Sequence, residues 1–340
     1  MHYKFEFRPY QRKFVRAVVT NHGIWKIREG IILRLTDESG KVGWGEIAPI
    51  AWFGSETLEQ ALNFCQQQSP QITEETIFSI PDDLPACQFG FESAAWGIEY
   101  GETGTNRHGD TETRRRGDAD FSYSHYPLNY SDLLPAGEAA LEAWQKLWQQ
   151  GYSTFKWKIA VYPTAIELKI LESLLQSLPV STKLRLDANC GLSFEEANLW
   201  LATCDKVNAN HESPVKIEFI EQPLPVDEFL AMLELSRRYQ SAIALDESIA
   251  TLKQLEYCYK NGWRGIFVIK PGIVGSPSRL RQFCQQHKID AVFSSVFETI
   301  VGRKAALQLA VELSQHNQTV GFGINHYFAE EDAVWLENLW

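Results

Sequence analysis

The chain reads as an α/β protein: an N-terminal α+β unit followed by a closed parallel barrel. Three observations predict this. From residue 126 onward short apolar runs alternate with helical stretches, eight of the first and seven of the second. The first hundred residues instead run strand-like segments into helices. Between the two lies "GETGTNRHGDTETRRRGDAD" (101–120), whose one apolar residue apart from glycine is an alanine. Strand–helix alternation of that regularity implies a parallel sheet, and right-handed crossovers leave a barrel as the simplest way to connect eight strands.

Within the first unit "MHYKFEFRPYQRKF" alternates apolar and polar residues, and "GIILRLTDESGKVGWGEIAPI" (30–50) places two strand-like runs around the turn Asp37-Glu38-Ser39-Gly40. "SETLEQALNFCQQQ" (55–68) starts with a capping serine and has helical spacing, and "LPACQFGFESAAWGIEY" (84–100) reads as a second helix. The α+β unit therefore spans 1–120, with 101–120 as a solvated linker. Acidic residues around Arg114-Arg115-Arg116 argue against a nucleic-acid patch there.

The barrel spans 121–325. Its strand candidates are 127–130, 154–159, 184–188, 216–220, 242–245, 266–270, 290–294 and 319–323. Ser193 and Glu196 have capping-box spacing at one helix start. The tail 326–340, "NHYFAEEDAVWLENLW", is too short and aromatic for a regular outer helix and is expected to return to the first unit.

Composition narrows the function. A formal net charge of -11 and a pI near 5.3 argue against nucleic acid or an anionic membrane as partner. No apolar run reaches the length of a membrane span, and the N-terminus lacks the apolar core of a signal peptide. Six cysteines without C-x-x-C pairing read as reduced thiols of a cytoplasmic protein. Nothing in the sequence speaks to the oligomeric state.

Charged residues interrupt or end the barrel strands: Lys156 and Lys158, Asp187, Glu221, Asp246 with Glu247, and Lys270, with Ser294 and Ser295 at the equivalent place on strand seven. Steps of 29, 34, 25, 24 and 24 residues separate Lys158, Asp187, Glu221, Asp246, Lys270 and Ser294, one βα unit each. Each therefore falls at the C-terminal end of its own strand, the face where barrel active sites form. Lys156 and Lys158 share one strand face about 7 Å apart. Their repulsion, on the order of 2 kcal/mol at an effective dielectric of about 20, would lower a lysine pKa by roughly 1.7. Asp187, Glu221 and Asp246 offer three hard oxygen donors, which suit Mg²⁺, with Mn²⁺ as the alternative, and Asn189 can share the face of Asp187. Lysines on both flanks of such an ion suit removal of a proton α to the carboxylate of a small-molecule substrate. "KPGIVGS" (270–276) and "GFG" (321–323) read as ordinary βα turns rather than phosphate loops.

At these residues the sequence resembles the enolase superfamily, in its muconate-lactonizing-enzyme subgroup. The matching motifs are "KWK" (156–158), "LRLDANCGLS" (184–193), "FIEQPLP" (219–225), "ALDES" (244–248) and "IKPG" (269–272). The resemblance implies an α+β capping domain on a (β/α)7β modified TIM barrel. It implies Asp187, Glu221 and Asp246 as magnesium ligands, Lys158 and Lys270 as the paired catalytic lysines, and Lys156 as their modulator.

Within the subgroup "LRLDAN", with Arg185 facing inward, and "FSSVFETIVGR" (293–303) resemble the o-succinylbenzoate synthase family, the dehydratases of menaquinone and phylloquinone synthesis. Arg185, Asn189, Glu247, Ser294 and Ser295 are then expected around the substrate or behind the ligands. Strand seven lacks the His base of mandelate-racemase relatives, and strand eight lacks the Asp-x-Asp of dipeptide epimerases. Muconate cycloisomerase and N-acylamino acid racemase share the lysines and ligands and stay as alternatives. A non-catalytic binding barrel would be expected to lack a lysine or a ligand, and none is missing. "GWGEIAPI" (43–50) is expected to close over the barrel mouth.

Overall fold

The computed structural model of the chain describes residues 1–20, 23–100, 128–210, 215–314, 318–323, 327–328 and 332–340. The expected linker at 101–120 lies outside the described residues. Two sheets organise the rest. The first is antiparallel, in the order β3-β2-β1-β4, from β1 (His2–Thr20), β2 (Gly23–Asp37), β3 (Val42–Ile47) and β4 (Gln71–Thr73). The predicted turn joins β2 to β3: Asp37 Oδ1 accepts from the backbone N–H of Ser39 and Lys41, and Gly40 takes φ +84°.

Helices α1 (Leu58–Gln67), α2 (Glu74–Phe78) and α3 (Pro85–Tyr100) follow. Thr57 caps α1 in a capping box with Gln60, so the cap is Thr57 and not the expected Ser55. Ser55 Oγ instead accepts from Ile50 N–H at 2.7 Å, holding the loop after β3. A Cβ on Gly43 or Gly45 would stand 1.9 Å from the Ala94 carbonyl and 2.0 Å from the Gly90 carbonyl. Only glycine lets β3 lie that close against the backbone of α3.

The second sheet is parallel, in the order β5 to β11: Ser131–Leu134, Thr154–Lys158, Thr182–Asp187, Val215–Glu221, Ala242–Leu245, Ile266–Ile269 and Asp290–Phe293. It is closed by Ser294 bridging Gly321 and Val320 bridging Tyr130. The eighth strand is thus a pair of bridges rather than a ladder. The first begins at Ser131, later than the expected 127–130, because its pairing with Thr154 sets the level. Outer helices are α4 (Ala140–Gln149), α5 (Thr164–Ser177), α6 (Phe194–Ala209), α7 (Phe229–Arg238), α8 (Leu252–Lys260), α10 (Pro277–Gln286) and α11 (Ile300–Leu313), with the single turn α9 (Pro271–Val274) after β10. The Ser193–Glu196 capping box forms at the start of α6. Trp157, Trp200, Phe155 and Leu186 fill the layer between sheet and helices. Among the described residues no helix is long and apolar enough to cross a membrane.

The antiparallel unit seats on the barrel through polar groups set at helix N-termini. Glu46 of β3 is fully buried, and its carboxylate accepts from Thr299 N–H, Thr299 Oγ and Gly302 N–H at the start of α11, and from Tyr10 Oη. Gln88 and Glu92 of α3 accept from Ser276 and Ser278 N–H at the start of α10. Such ends carry unpaired N–H groups and partial positive charge, so acceptors bind there. The tail forms a helix after all, α12 (Asp332–Leu339). Leu336 and Trp335 pack on Tyr10 and Ile32, and Arg8 donates to the Leu339 carbonyl at 2.6 Å. Burial of those apolar side chains against the sheet supplies what an isolated eight-residue helix lacks.

Glu46→Ala leaves several buried donors without an acceptor and is expected to cost about 3 kcal/mol or more. Urea unfolding of the variant beside the wild type measures this; a loss under about 1 kcal/mol would show that the carboxylate does not hold the two units together.

Candidate active site

The barrel interior is stacked in layers. Phe219, Ala244, Ile266, Val268 and Val292 form an apolar plug. Two residues further along the same strands, on the same face, stand Glu221, Asp246, Lys270 and Ser294. Lys158 is level with Asp187, and Asp187 with Glu221. The structure therefore brings together Lys156, Lys158, Asp187, Glu221, Asp246 and Lys270 as one polar layer above the plug.

Contacts within the layer are short. Lys156 Nζ lies 2.6 Å from Glu221 Oε1 and 2.9 Å from Asp187 Oδ2. Lys270 Nζ donates to Asp246 Oδ1, and on its other side it stands 4.2 Å from the centre of the Phe53 ring. Asn189 is joined to both neighbours: its N–H donates to Asp187 Oδ1 and its amide to Glu247 Oε1, each at 3.2 Å. Beyond Lys158 the chain turns at Ala160, φ +62°. The buried Glu167 of α5 pins that turn by accepting from the N–H of residues 160, 161 and 162.

Burial dominates the electrostatics. It raises the carboxyl pKa of Glu221, Asp246 and Glu247, although Lys156 opposes it at Glu221 and Lys270 at Asp246 and Glu247. Burial alone would lower Lys156, but Asp187, Glu221 and Asp246 outweigh it, and Lys156 is held protonated. Lys158 is lowered, first by burial and against the pull of Asp187, with Lys156 a further lowering cause. Repulsion from Lys156 is therefore secondary to desolvation, because the Lys156 charge is already spent on two carboxylates.

Among the described residues no three Asp, Glu, His or Cys side chains are gathered around one vacant point. The Lys156 ammonium occupies the space between Asp187 and Glu221. Even so, the donor set fits a hard divalent cation. An ammonium already marks where positive charge is favoured, and Glu247 Oε2 is buried beside Asp246 with no hydrogen-bond partner.

Two residues expected around the substrate or behind the ligands make their polar contacts away from the carboxylate row. Arg185 lies two residues below Asp187, with Nε 2.7 Å from Glu218 and an Nη donating to the Thr319 carbonyl. Only 2% of it is exposed, so it lies in the barrel interior behind Asp187. Ser295 falls on the other side of the strand end, where its Oγ donates to Glu298 and accepts from Phe297 N–H. Ser294 keeps its place on the interior face.

Phe53, Glu167 and Gln222 support the site although no local sequence pattern marks them. Gln222 stands in the quoted "IEQP", but a glutamine after a ligand carries no signal of its own. Phe53 comes from a different sheet, and no local spacing links it to Lys270.

With this geometry in place the comparisons are informative. Residues 139–337 match the family model described as enolase C-terminal domain-like, and residues 5–98 match MenC, N-terminal domain. An o-succinylbenzoate synthase of Thermosynechococcus vestitus is 38% identical, covering 95% of this chain and 93% of its own. That of Haemophilus influenzae is 30% identical over 88% of this chain and 82% of its own. A crystal structure of the Thermosynechococcus elongatus o-succinylbenzoate synthase, complexed with Mg in the active site, superposes with a TM-score of 0.83 at 36% identity, over 99% of both chains. The L-Ala-D/L-Glu epimerase of Bacillus subtilis, at 19% identity and a TM-score of 0.74 over 96% of this chain and 91% of its own, shares the fold.

Lys156→Met keeps the side-chain stem and removes the charge. In metal-free buffer it should destabilise the protein by about 3–5 kcal/mol, since two buried carboxylates lose their counter-ion. An unchanged melting temperature in EDTA would refute this account of the pair.

Proposed function

The chain belongs to the o-succinylbenzoate synthase family of the enolase superfamily, and from that premise we propose how its residues perform the reaction. The reaction is the syn-dehydration of 2-succinyl-6-hydroxy-2,4-cyclohexadiene-1-carboxylate to o-succinylbenzoate, a carbon–oxygen lyase activity. The observation that carries the reading is the flanking of one buried carboxylate row by Lys158 at the end of strand β6 and Lys270 just past the end of β10.

Asp187, Glu221 and Asp246 would hold the divalent cation, Mg²⁺ in preference to Mn²⁺. When bound, that ion supplies positive charge for the substrate carboxylate and makes its α-proton more acidic. Lys158 is the base. Its lowered pKa provides the neutral amine that takes the proton from the ring carbon bearing the carboxylate. Lys270, on the opposite flank, keeps its proton and stabilises the enediolate as it forms. Lys158, now an ammonium, gives its proton to the departing hydroxyl on the same face. The carbon–oxygen bond breaks, water leaves and the ring becomes aromatic. Lys156 neutralises Asp187 and Glu221, and Asn189 and Glu247 brace the ligands. Ser294, level with Lys270, is the strand-seven group placed to meet the substrate.

We assign the product to menaquinone or phylloquinone biosynthesis and the protein to the cytoplasm. All six cysteines are free thiols, which supports a reducing compartment. The acidic surface supports a small carboxylate substrate with no nucleic-acid or membrane partner.

Lys158→Ala should lower kcat by about 10³-fold or more with the fold intact. In the wild type kcat/KM should rise with pH as Lys158 deprotonates, along a limb below the range of an ordinary lysine. Burial and Lys156 favour the neutral amine, so the base form is present only above the folded pKa. A limb at the free-lysine value would count against Lys158 as base.

The substrate choice is tested by measuring kcat/KM for dehydration, muconate cycloisomerisation and N-acylamino acid racemisation on one preparation, with and without EDTA. Dehydration should lead and be abolished by chelation, with Mg²⁺ restoring it. A rival reaction in front would overturn the substrate, and full turnover without metal would overturn the ligand set.

A further inference from the structure

Gln222 follows the second carboxylate of the row and is completely buried. Its φ of +39° lies in the left-handed region, which costs a residue with a Cβ roughly 1–3 kcal/mol. Such a conformation persists only where its surroundings over-determine it. Gln222 Oε1 accepts from the N–H groups of Asp246 and Ser248, at 3.0 and 3.1 Å. Nε2 donates to Ser248 Oγ at 2.8 Å and to the Leu224 carbonyl at 3.0 Å, with Met232 Sδ packed at 3.5 Å. Backbone N–H groups only donate and a carbonyl only accepts, so these partners fix which end of the amide is oxygen. Both lone pairs and both N–H groups are used.

The main chain of the same residue is equally committed. Its N–H donates to the Ala244 carbonyl and its carbonyl accepts from Cys190 N–H, both at 2.8 Å. One residue therefore joins three strand ends: β7 through Cys190, three places after Asp187; β8 through Glu221 beside it; and β9 through the N–H of Asp246 itself. Those three ends carry the three carboxylates. A turn that needed only closing could be closed by main chain alone. Here a buried side chain reaches across to the backbone of a ligand on the next strand.

We propose that Gln222 is a positioning residue that sets the spacing of Asp187, Glu221 and Asp246, and through it the affinity for the divalent cation. This rests on the metal reading of the site. The acceptor oxygen is the important half, because it alone touches Asp246.

The test is Mn²⁺ binding to metal-free full-length protein, followed by the paramagnetic resonance signal of free Mn²⁺, with the melting temperature of each metal-free protein measured alongside. Gln222→Leu should bind Mn²⁺ at least about tenfold more weakly. Ser248→Ala loses a hydroxyl but leaves the acceptor on Asp246, and should weaken binding by no more than about fivefold. Gln222→Asn keeps the amide but is one methylene too short to reach, and should also lose about tenfold; it decides the matter if the leucine variant does not fold. A folded Gln222 variant with wild-type Mn²⁺ affinity and only a lowered melting temperature would overturn the proposal. So would a Ser248→Ala defect as large as that of the leucine variant. Asp187→Asn separates the two readings. If wild type binds Mn²⁺, Asp187→Asn does not and Gln222→Leu binds like wild type, only the role of Gln222 fails. If wild type binds none, the metal reading fails and takes this inference with it.

Discussion

Strands in a parallel sheet meet at a set level, and a slip of one residue turns every side chain to the other face. The site depends on that level across β6, β7 and β8, where Lys158 stands beside Asp187 and Asp187 beside Glu221. The second pairing exists because of a bulge. Leu184 pairs with Ile217, but Arg185 pairs with Phe219, so Glu218 is the extra residue. Without it Asp187 would stand level with Ile220, and Glu221 would face the outer helices. The bulged Glu218 is held by Arg185 at 2.7 Å and Lys183 at 3.0 Å. A salt bridge at the bottom of the barrel thus accompanies the register that places two ligands at the top.

Gathering this much charge out of water opposes folding. Isolated ions in a low-dielectric interior cost several kcal/mol each, and pairing offsets that only with good geometry. The lysines make the layer tolerable by sitting directly on the carboxylates, and the backbone strain at its edge is localised. Ala160, Asn189, Cys190 and Gln222 all take positive φ, and all follow a strand that ends in a site residue. The stability needed to hold them comes from the apolar layers on either side, the plug below and the Trp157–Trp200 layer outside. Local conflict at a functional site, supported by consistency elsewhere, is what a folded enzyme is expected to show.

The same division decides what could be read from sequence. Strand–helix alternation is local periodicity, so the barrel and its seven outer helices were legible. The polar residues at strand ends were legible because the βα unit repeats at nearly constant length. Arg185 faces inward as alternation implies, but alternation does not say how deep a side chain lies, and the Glu218 carboxylate that engages it arrives through a bulge that no pattern announces. Ser294 and Ser295 look alike in sequence, yet adjacent residues face opposite ways, and only the first shares the face of Lys270. Lys156 lowers Lys158 as its spacing implies, but it comes after burial as a cause, because how deeply a strand end is buried is not written in local spacing. The tail helix was missed because its stability is tertiary, supplied by Tyr10 and Ile32 some three hundred positions away.

Contacts between the two units bear directly on the chemistry. Arg28 of β2 is 1% exposed and, among the described residues, donates to main-chain carbonyls: Ala48, Pro49 and Glu29 in its own unit, and Val296 in the loop after β11. A buried guanidinium is costly unless its donors are well used, and buried carbonyls are costly unless they find donors. Seating one unit on the other satisfies both sets together. The segment that Arg28 holds continues through Ile50, anchored by Ser55, to Phe53, whose ring lies over the Lys270 ammonium. A ring in that position removes water from one side of the cation and presents its negative face to it. The Lys270 ammonium thus lies between the Asp246 carboxylate and an aromatic face delivered from the antiparallel sheet. At the β6 end the packing differs: burial favours the neutral amine of Lys158 against the pull of Asp187, so the surroundings of that strand end suit a base.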